Sequence, residues 1–113
     1  MPTSISKGLP EDLHRATLVF AALGNAIRQE IIMLPKPGEE LSIKEIADQF
    51  DLGRTTIVHH LTVLHNNGVL RMRKNGRQTI YSVAYDSILD ALRQMHLHIR
   101  DGLEKPEGEN ALT

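Results

Sequence analysis

Leu52-Gly-Arg-Thr-Thr-Ile-Val-His-His-Leu-Thr-Val-Leu-His-Asn-Asn-Gly68 reads as one short helix, entered from a turn and closed by a glycine. At about 100° per residue, Ile57, Leu61 and Leu64 fall within roughly 60° of one another and define a buried stripe. The opposite arc collects Thr55, His59, Thr62 and Asn66, with Thr56 and Val58 at its flanks. Gly68 stands where helices commonly end in a left-handed residue. No acidic residue occurs from Leu52 to Tyr85, a stretch that holds Arg54, Arg71, Arg73, Lys74 and Arg77. Its local charge is therefore +5 in a chain whose net charge is −1. Positive charge gathered in this way predicts a polyanionic partner, most commonly nucleic acid phosphates.

Upstream, Ser42-Ile-Lys-Glu45 has the form of a capping box, in which Ser reaches forward and Glu reaches back. It opens a short helix through Ile46, Ala47 and Phe50, and Leu52-Gly53 makes a tight turn. Two helices joined by about four residues, the second ending in Gly, match the helix-turn-helix pattern. Downstream the period changes to two. Val69 to Lys74 and Arg77 to Val83 alternate apolar and polar residues around Asn75-Gly76. Asn-Gly favours a type I′ turn with positive φ at both central positions, so the segment reads as a β-hairpin with a basic tip.

The flanks are helical. A first helix over about Pro10–Leu23 presents Leu13, Ala16, Thr17 and Phe20 at helical spacing. Asn25 caps a second, carrying Ile27, Ile31 and Leu34, which Pro35 and Pro37 end. A last helix over about Asp86–Leu103 aligns Ile88, Leu92, Met95, Ile99 and Leu103. The fold class is mainly α with a small β-hairpin: a winged helix-turn-helix with extra N- and C-terminal helices. Residues 9–103 form one domain, between a loose lead-in over 1–8 and a frayed tail over 104–113.

Composition narrows the function classes. The chain has 113 residues, 41% of them apolar and 24% charged, which suits one small globular domain. It has no cysteine, which excludes disulfides and thiolate sites. No apolar run approaches the roughly 20 residues of a membrane span, and the N-terminus lacks a signal-peptide stretch. A cytoplasmic protein without membrane association is expected. Catalysis finds no motif: there is no Gly-rich phosphate loop, activated nucleophile or metal triad, so neither enzyme activity nor a cofactor is expected.

The sequence resembles the ArsR/SmtB family of small dimeric winged-helix regulators over roughly residues 16–100. Leu23-Gly-Asn-Ala-Ile-Arg28 is similar to the family's Leu-x-Asp-Pro-x-Arg entry to its second helix, with Asn25 keeping the cap and Ala26 losing the rigid proline. Glu45-Ile-Ala47, Leu52, Thr56, His59-His-Leu61, Val63-Leu64 and Gly68-Val-Leu70 track the family's recognition region. Arg77 through Tyr81 is similar to its second wing strand. The resemblance implies a homodimer on a palindromic operator, usually repressing, with the extra N- and C-terminal helices as dimerisation helices that form the dimer interface. A core this small hardly absorbs the whole stripe of the last helix, which agrees. Leu13, Thr17, Phe20, Ile88, Leu92, Met95 and Ile99 are the expected interface residues.

The expected DNA-contacting residues are Arg54, Thr55, Thr56, Val58, His59 and Thr62 on the helix, and Arg73, Lys74, Asn75 and Arg77 on the hairpin. Short hydroxyls, an imidazole and an apolar Val suit base edges, and the helix N-terminus suits phosphate. The plainer reading of the hairpin is a charged turn that prevents edge pairing. Arg71 is less certain, because strand alternation turns it elsewhere. His60, nearer the buried side, is expected to bond a backbone carbonyl, and His65 is ambiguous.

Family members with thiolate sensors carry Cys after the Glu-Leu step, where Glu40-Leu-Ser-Ile-Lys44 offers none. A second family site, on the last helix, maps onto Tyr85 and Ser87, which are poor ligands, and onto His98 and Asp101, which suit half a site. No metal site is expected on that basis. Two alternatives stay open: a metal-responsive repressor using His98 and Asp101, and a winged helix that meets an acidic protein through its basic face. Operator, target genes and inducer are not legible in the sequence.

Overall fold

Side chains of short polar residues set where two of the helices begin. Asn25 Oδ1 accepts the Arg28 N–H at 3.1 Å. Ser42 Oγ accepts the Glu45 N–H at 3.1 Å, and Glu45 Oε1 accepts the Ser42 N–H at 2.8 Å, completing the capping box. Each satisfies backbone donors that a helix leaves unpaired at its start. The computed structural model describes residues 8–104. Its elements are α1 (Glu11–Leu23), α2 (Ala26–Met33), β1 (Leu41–Ser42), α3 (Ile43–Ala47), α4 (Arg54–Asn66), β2 (Leu70–Asn75), β3 (Gln78–Val83) and α5 (Tyr85–Glu104). Glu104, assigned to the tail in the sequence reading, belongs to α5; the rest of both expected termini, apart from Gly8, lies outside the described residues.

Three details differ from the sequence reading. First, β1 was not anticipated. Its two residues pair antiparallel with β3, Leu41 opposite Tyr81 and Ser42 opposite Ile80, so the hairpin becomes a three-stranded sheet of order β1-β3-β2. Two residues are too short for a period to register. Second, α3 stops at Ala47 rather than Phe50. The chain continues in tighter bonds, Gln49 N–H to Ile46 O at 3.0 Å and Phe50 N–H to Ala47 O at 3.1 Å. The connection to α4 therefore spans 48–53. Third, the hairpin loop is Gly76-Arg77, because Asn75 keeps its place in the ladder opposite Gln78. Gly76 has φ 66°, and no described non-glycine residue has positive φ. One positive φ at the first loop position is the signature of a type II′ turn, for which a single glycine suffices.

The core gathers under α4. Ile57, Leu61 and Leu64 have no exposed surface and pack with Val69, Ile31 and Ile46, the α1 residues Ala16, Val19 and Ala22, Tyr81 and Val83 of β3, and Ala91 of α5. Each fully buried aliphatic side chain contributes about 1.5–3 kcal/mol, and this set fixes which arc of α4 is inward. Ala16 on α1 and Ala91 on α5, small and buried at the seam between the terminal helices, let the two approach closely. Gly68, at φ 82°, ends α4 and turns the chain into β2. From Arg71 onward β2 is exposed, so the hairpin projects from the body as a wing. No described helix is long and apolar enough to cross a membrane.

Candidate nucleic-acid interface

Burial of Ile57, Leu61 and Leu64 leaves the other arc of α4 to solvent. Thr55, Thr56, His59, Thr62 and Asn66 are exposed, and Val58 is half-buried at the flank. The α4 N-terminus carries Arg54, has no acidic residue in its first turn, and its N-cap, Gly53, supplies no side-chain acceptor. First-turn N–H groups and Arg54 thus present a positively polarised end with no carboxylate in its own first turn. Thr62 Oγ donates to Val58 O at 2.9 Å, which leaves its lone pairs outward as acceptors.

His60 departs from its expected carbonyl partner. Its Nδ1 lies 3.3 Å from Nη1 of Arg28. A guanidinium only donates, so Nδ1 must be the acceptor and the ring neutral, with its proton on Nε2. Burial, the Arg28 charge and neighbouring His59 together hold the His60 pKa below the usual imidazole range. Arg28 also donates through Nε to Ala22 O at 2.6 Å, so one side chain links the end of α1, the start of α2 and the flank of α4. His59 and His60 rings tilt at 54° with centroids 5.9 Å apart. His65 is half-buried near the end of α4.

The wing distributes its cations unevenly. Arg73 donates through Nε and Nη2 to both carboxylate oxygens of Glu40, at 2.9 and 2.7 Å. Its place is mid-strand opposite Ile80, not the tip. The guanidinium holds the Glu40 carboxyl below the usual range, and Glu40 raises the Arg73 pKa in return. Arg71, two residues earlier on β2, is paired with a different acid, its Nη2 2.8 Å from both oxygens of Asp86 in the first turn of α5. Two of the five clustered cations are thus matched by acids outside the acid-free run, Asp86 directly after it and Glu40 well before it. Lys74 Nζ donates to Thr79 Oγ1 at 2.9 Å, Asn75 ends β2, and Arg77 is exposed in the loop. Neither Lys74, Arg77 nor Arg54 has a carboxylate partner among the described residues. Asp86 was findable as the first acid after the run. Glu40 was not, because it approaches through the unread β1.

A second exposed surface lies on α5. Tyr85, Leu89, Leu92, His96, Ile99 and Leu103 recur at alternating spacings of four and three and face solvent, with Leu89 63% and Leu103 75% exposed. Of the expected interface set, Leu92 and Ile99 lie on this stripe, while Ile88 and Met95 are half-buried and Ile88 packs on the core. Leu13, Thr17 and Phe20 on α1 are half-buried. His98 and Asp101 line a cleft of about 290 Å³ with Asp12 and Leu13 of α1, and Asp12 is ion-paired to Arg15. Among the described residues no three His, Asp or Glu side chains group closely enough to hold a metal ion.

No protein-family model matches the chain. The transcriptional repressor SdpR of Bacillus subtilis is 29% identical over 84 residues, covering 74% of this chain and 92% of the repressor. An ArsR-like transcriptional regulator from Rhodococcus sp. RHA1 superposes with a TM-score of 0.72 at 23% identity, over 81% of this chain and 86% of that one. The homodimeric winged helix-turn-helix DNA-binding domain Mb0332 of Mycobacterium bovis, a possible ArsR-family regulator, has a TM-score of 0.64 at 26% identity, over 92% and 94% of the two chains.

Proposed function

From the premise that the chain is a winged helix-turn-helix protein of the ArsR/SmtB type, we propose that it is a homodimeric, sequence-specific transcriptional repressor acting on a palindromic duplex operator in the cytoplasm. The observation that carries this reading is the exposed arc of α4, acid-free and flanked by cations that have no carboxylate partner among the described residues. The α4 N-terminal turn enters the major groove, where Thr55, Thr56, Val58, His59 and Thr62 meet base edges. Arg54, Lys74, Asn75 and Arg77 hold the backbone on either side. Arg73 joins them only by exchanging Glu40 for a phosphate. The apolar stripe of α5 meets its copy across a twofold axis, which sets two α4 helices on successive groove faces.

Site selection from random duplexes tests this. The expected product is an inverted repeat with half-sites about 10–10.5 base pairs apart. For roughly six to eight neutralised phosphates per dimer, log affinity falls with log salt at a slope of about −5 to −7. Failure to enrich any motif, or a flat salt dependence, rejects the proposal.

A further inference from the structure

Three elements bring one cation each to a single cleft beside the loop end of the wing. Lys44 comes from the first turn of α3, Arg54 begins α4, and Arg77 sits in the β2–β3 loop. With Ser42, Ile43, Gln78 and Thr79 they line a space of about 150 Å³, and no carboxylate is among the lining residues. Asp48, bonded to the Lys44 Nζ at 2.8 Å, holds the Lys44 pKa above the usual range, with a smaller push from Glu45, while the nearby Arg54 charge works against it. Glu45, the other nearby acid, is turned back onto the Ser42 N–H. The space is well below the roughly 300–1,000 Å³ of sites for small organic ligands. It suits one compact anion.

We infer that this cleft is a clamp for a single backbone phosphate of the bound duplex, with Lys44 as a third contact beside Arg54 and Arg77. The inference rests on the DNA-binding reading above and adds to it a residue that lies outside the acid-free run. One phosphate held from α3, α4 and the wing loop fixes the wing's angle to the recognition helix. The clamp is therefore a positioning device for the base-reading side chains, blind to sequence in itself.

The test is a methylphosphonate scan of the selected operator, which neutralises one phosphate at a time. For the wild type, one backbone position per half-site should cost about tenfold or more in affinity, as loss of charge-assisted hydrogen bonds does. At that position the Lys44→Gln/Arg54→Gln/Arg77→Gln variant should show no further loss, and its salt slope should be shallower by about 1.8 per dimer. Lys36→Gln, which removes a charge outside the cleft, should leave the scan unchanged. If the triple variant melts early, Lys44→Gln alone carries the same comparison, expected as a reduced penalty at that one position. A variant scan that parallels the wild-type scan at every position overturns the clamp while leaving operator binding intact; a wild type that selects no operator removes the underlying function instead. Inorganic phosphate at matched ionic strength separates the two sources of the anion. Micromolar saturation of the Lys44, Arg54 and Arg77 amide shifts, with release of operator, would overturn the assignment to the DNA backbone.

Discussion

The outer arc of α4 and the outer arc of α5 are both exposed, and they are chemically opposite. Along α4 the solvent meets hydroxyls, imidazole and amide on a helix with no acid, and such groups are well hydrated. Along α5 it meets Leu89, Leu92, Ile99 and Leu103, whose exposure costs roughly 25 cal/mol for each Å² of apolar area left in water. The first arc gains little by meeting another protein surface and much by meeting phosphate. The second gains by meeting an apolar stripe like itself. In the proposed dimer the α5 stripe fixes how far apart two α4 arcs stand, so the apolar surface sets the geometry with which the polar one reads.

The sharpest way to break that contrast is to charge the α5 stripe. Leu92→Arg places a cation mid-stripe without touching the core, and sedimentation should show a monomer. Losing bivalent engagement should lower operator affinity by on the order of 10²–10⁴, although α4 and the wing are unaltered. A monomeric variant with undiminished operator affinity would separate the two arcs and refute their coupling. On the α4 side, Thr55→Ala removes an exposed hydroxyl from the first turn. It should cost about 1–3 kcal/mol on the selected operator and leave binding to random duplex unchanged. Equal losses on both would take Thr55 out of base reading.

A smaller effect is expected at the wing. Glu40 occupies Arg73 through two hydrogen bonds, so the carboxylate competes with phosphate for the same guanidinium. Glu40→Gln should raise affinity for all duplexes a few-fold and steepen the salt slope by up to about 1.8 per dimer. The pair is exposed, and its loss should leave the melting temperature nearly unchanged. Unchanged or weaker binding would mean that Arg73 does not reach the backbone.

Much of this architecture was legible because its signals are local. The capping box at Ser42, the Asn25 cap, the Ile57-Leu61-Leu64 stripe and Gly68 each act within one turn of helix, and the structure has them where the spacing implies. What escaped is long-range. Arg73 with Glu40 and Arg28 with His60 join residues more than thirty positions apart through an unread strand and a helix crossing. A charge count along the chain gave +5, but charge in space is reduced by acids that fold back onto it. The sequence reading aligns Ile88, Leu92, Met95, Ile99 and Leu103 as one line, whereas the helix divides it: Ile88 packs on its own core and Met95 is half-buried, while Leu92, Ile99 and Leu103 face solvent together with Leu89.

The Arg28–His60 contact supplies the last and smallest test. His60 is neutral in the fold because burial and two nearby cationic or titratable groups, Arg28 and His59, oppose its charging. Its folded pKa therefore lies below the value of about 6.5 expected when unfolded. Between those two values the unfolded chain binds a proton that the folded chain refuses, so lowering the pH favours unfolding. The contribution is fully present above the unfolded pKa and is lost as pH falls below it. His60→Gln keeps an acceptor for Arg28 and removes the titration. Its stability, followed by denaturant melts from pH 7.5 to 5, should fall less steeply than that of the wild type. The other histidines remain in both proteins, so the difference between the two curves isolates this site. Parallel curves would mean that His60 takes up its proton equally in the folded and unfolded chain, and that neither burial nor Arg28 opposes its charging.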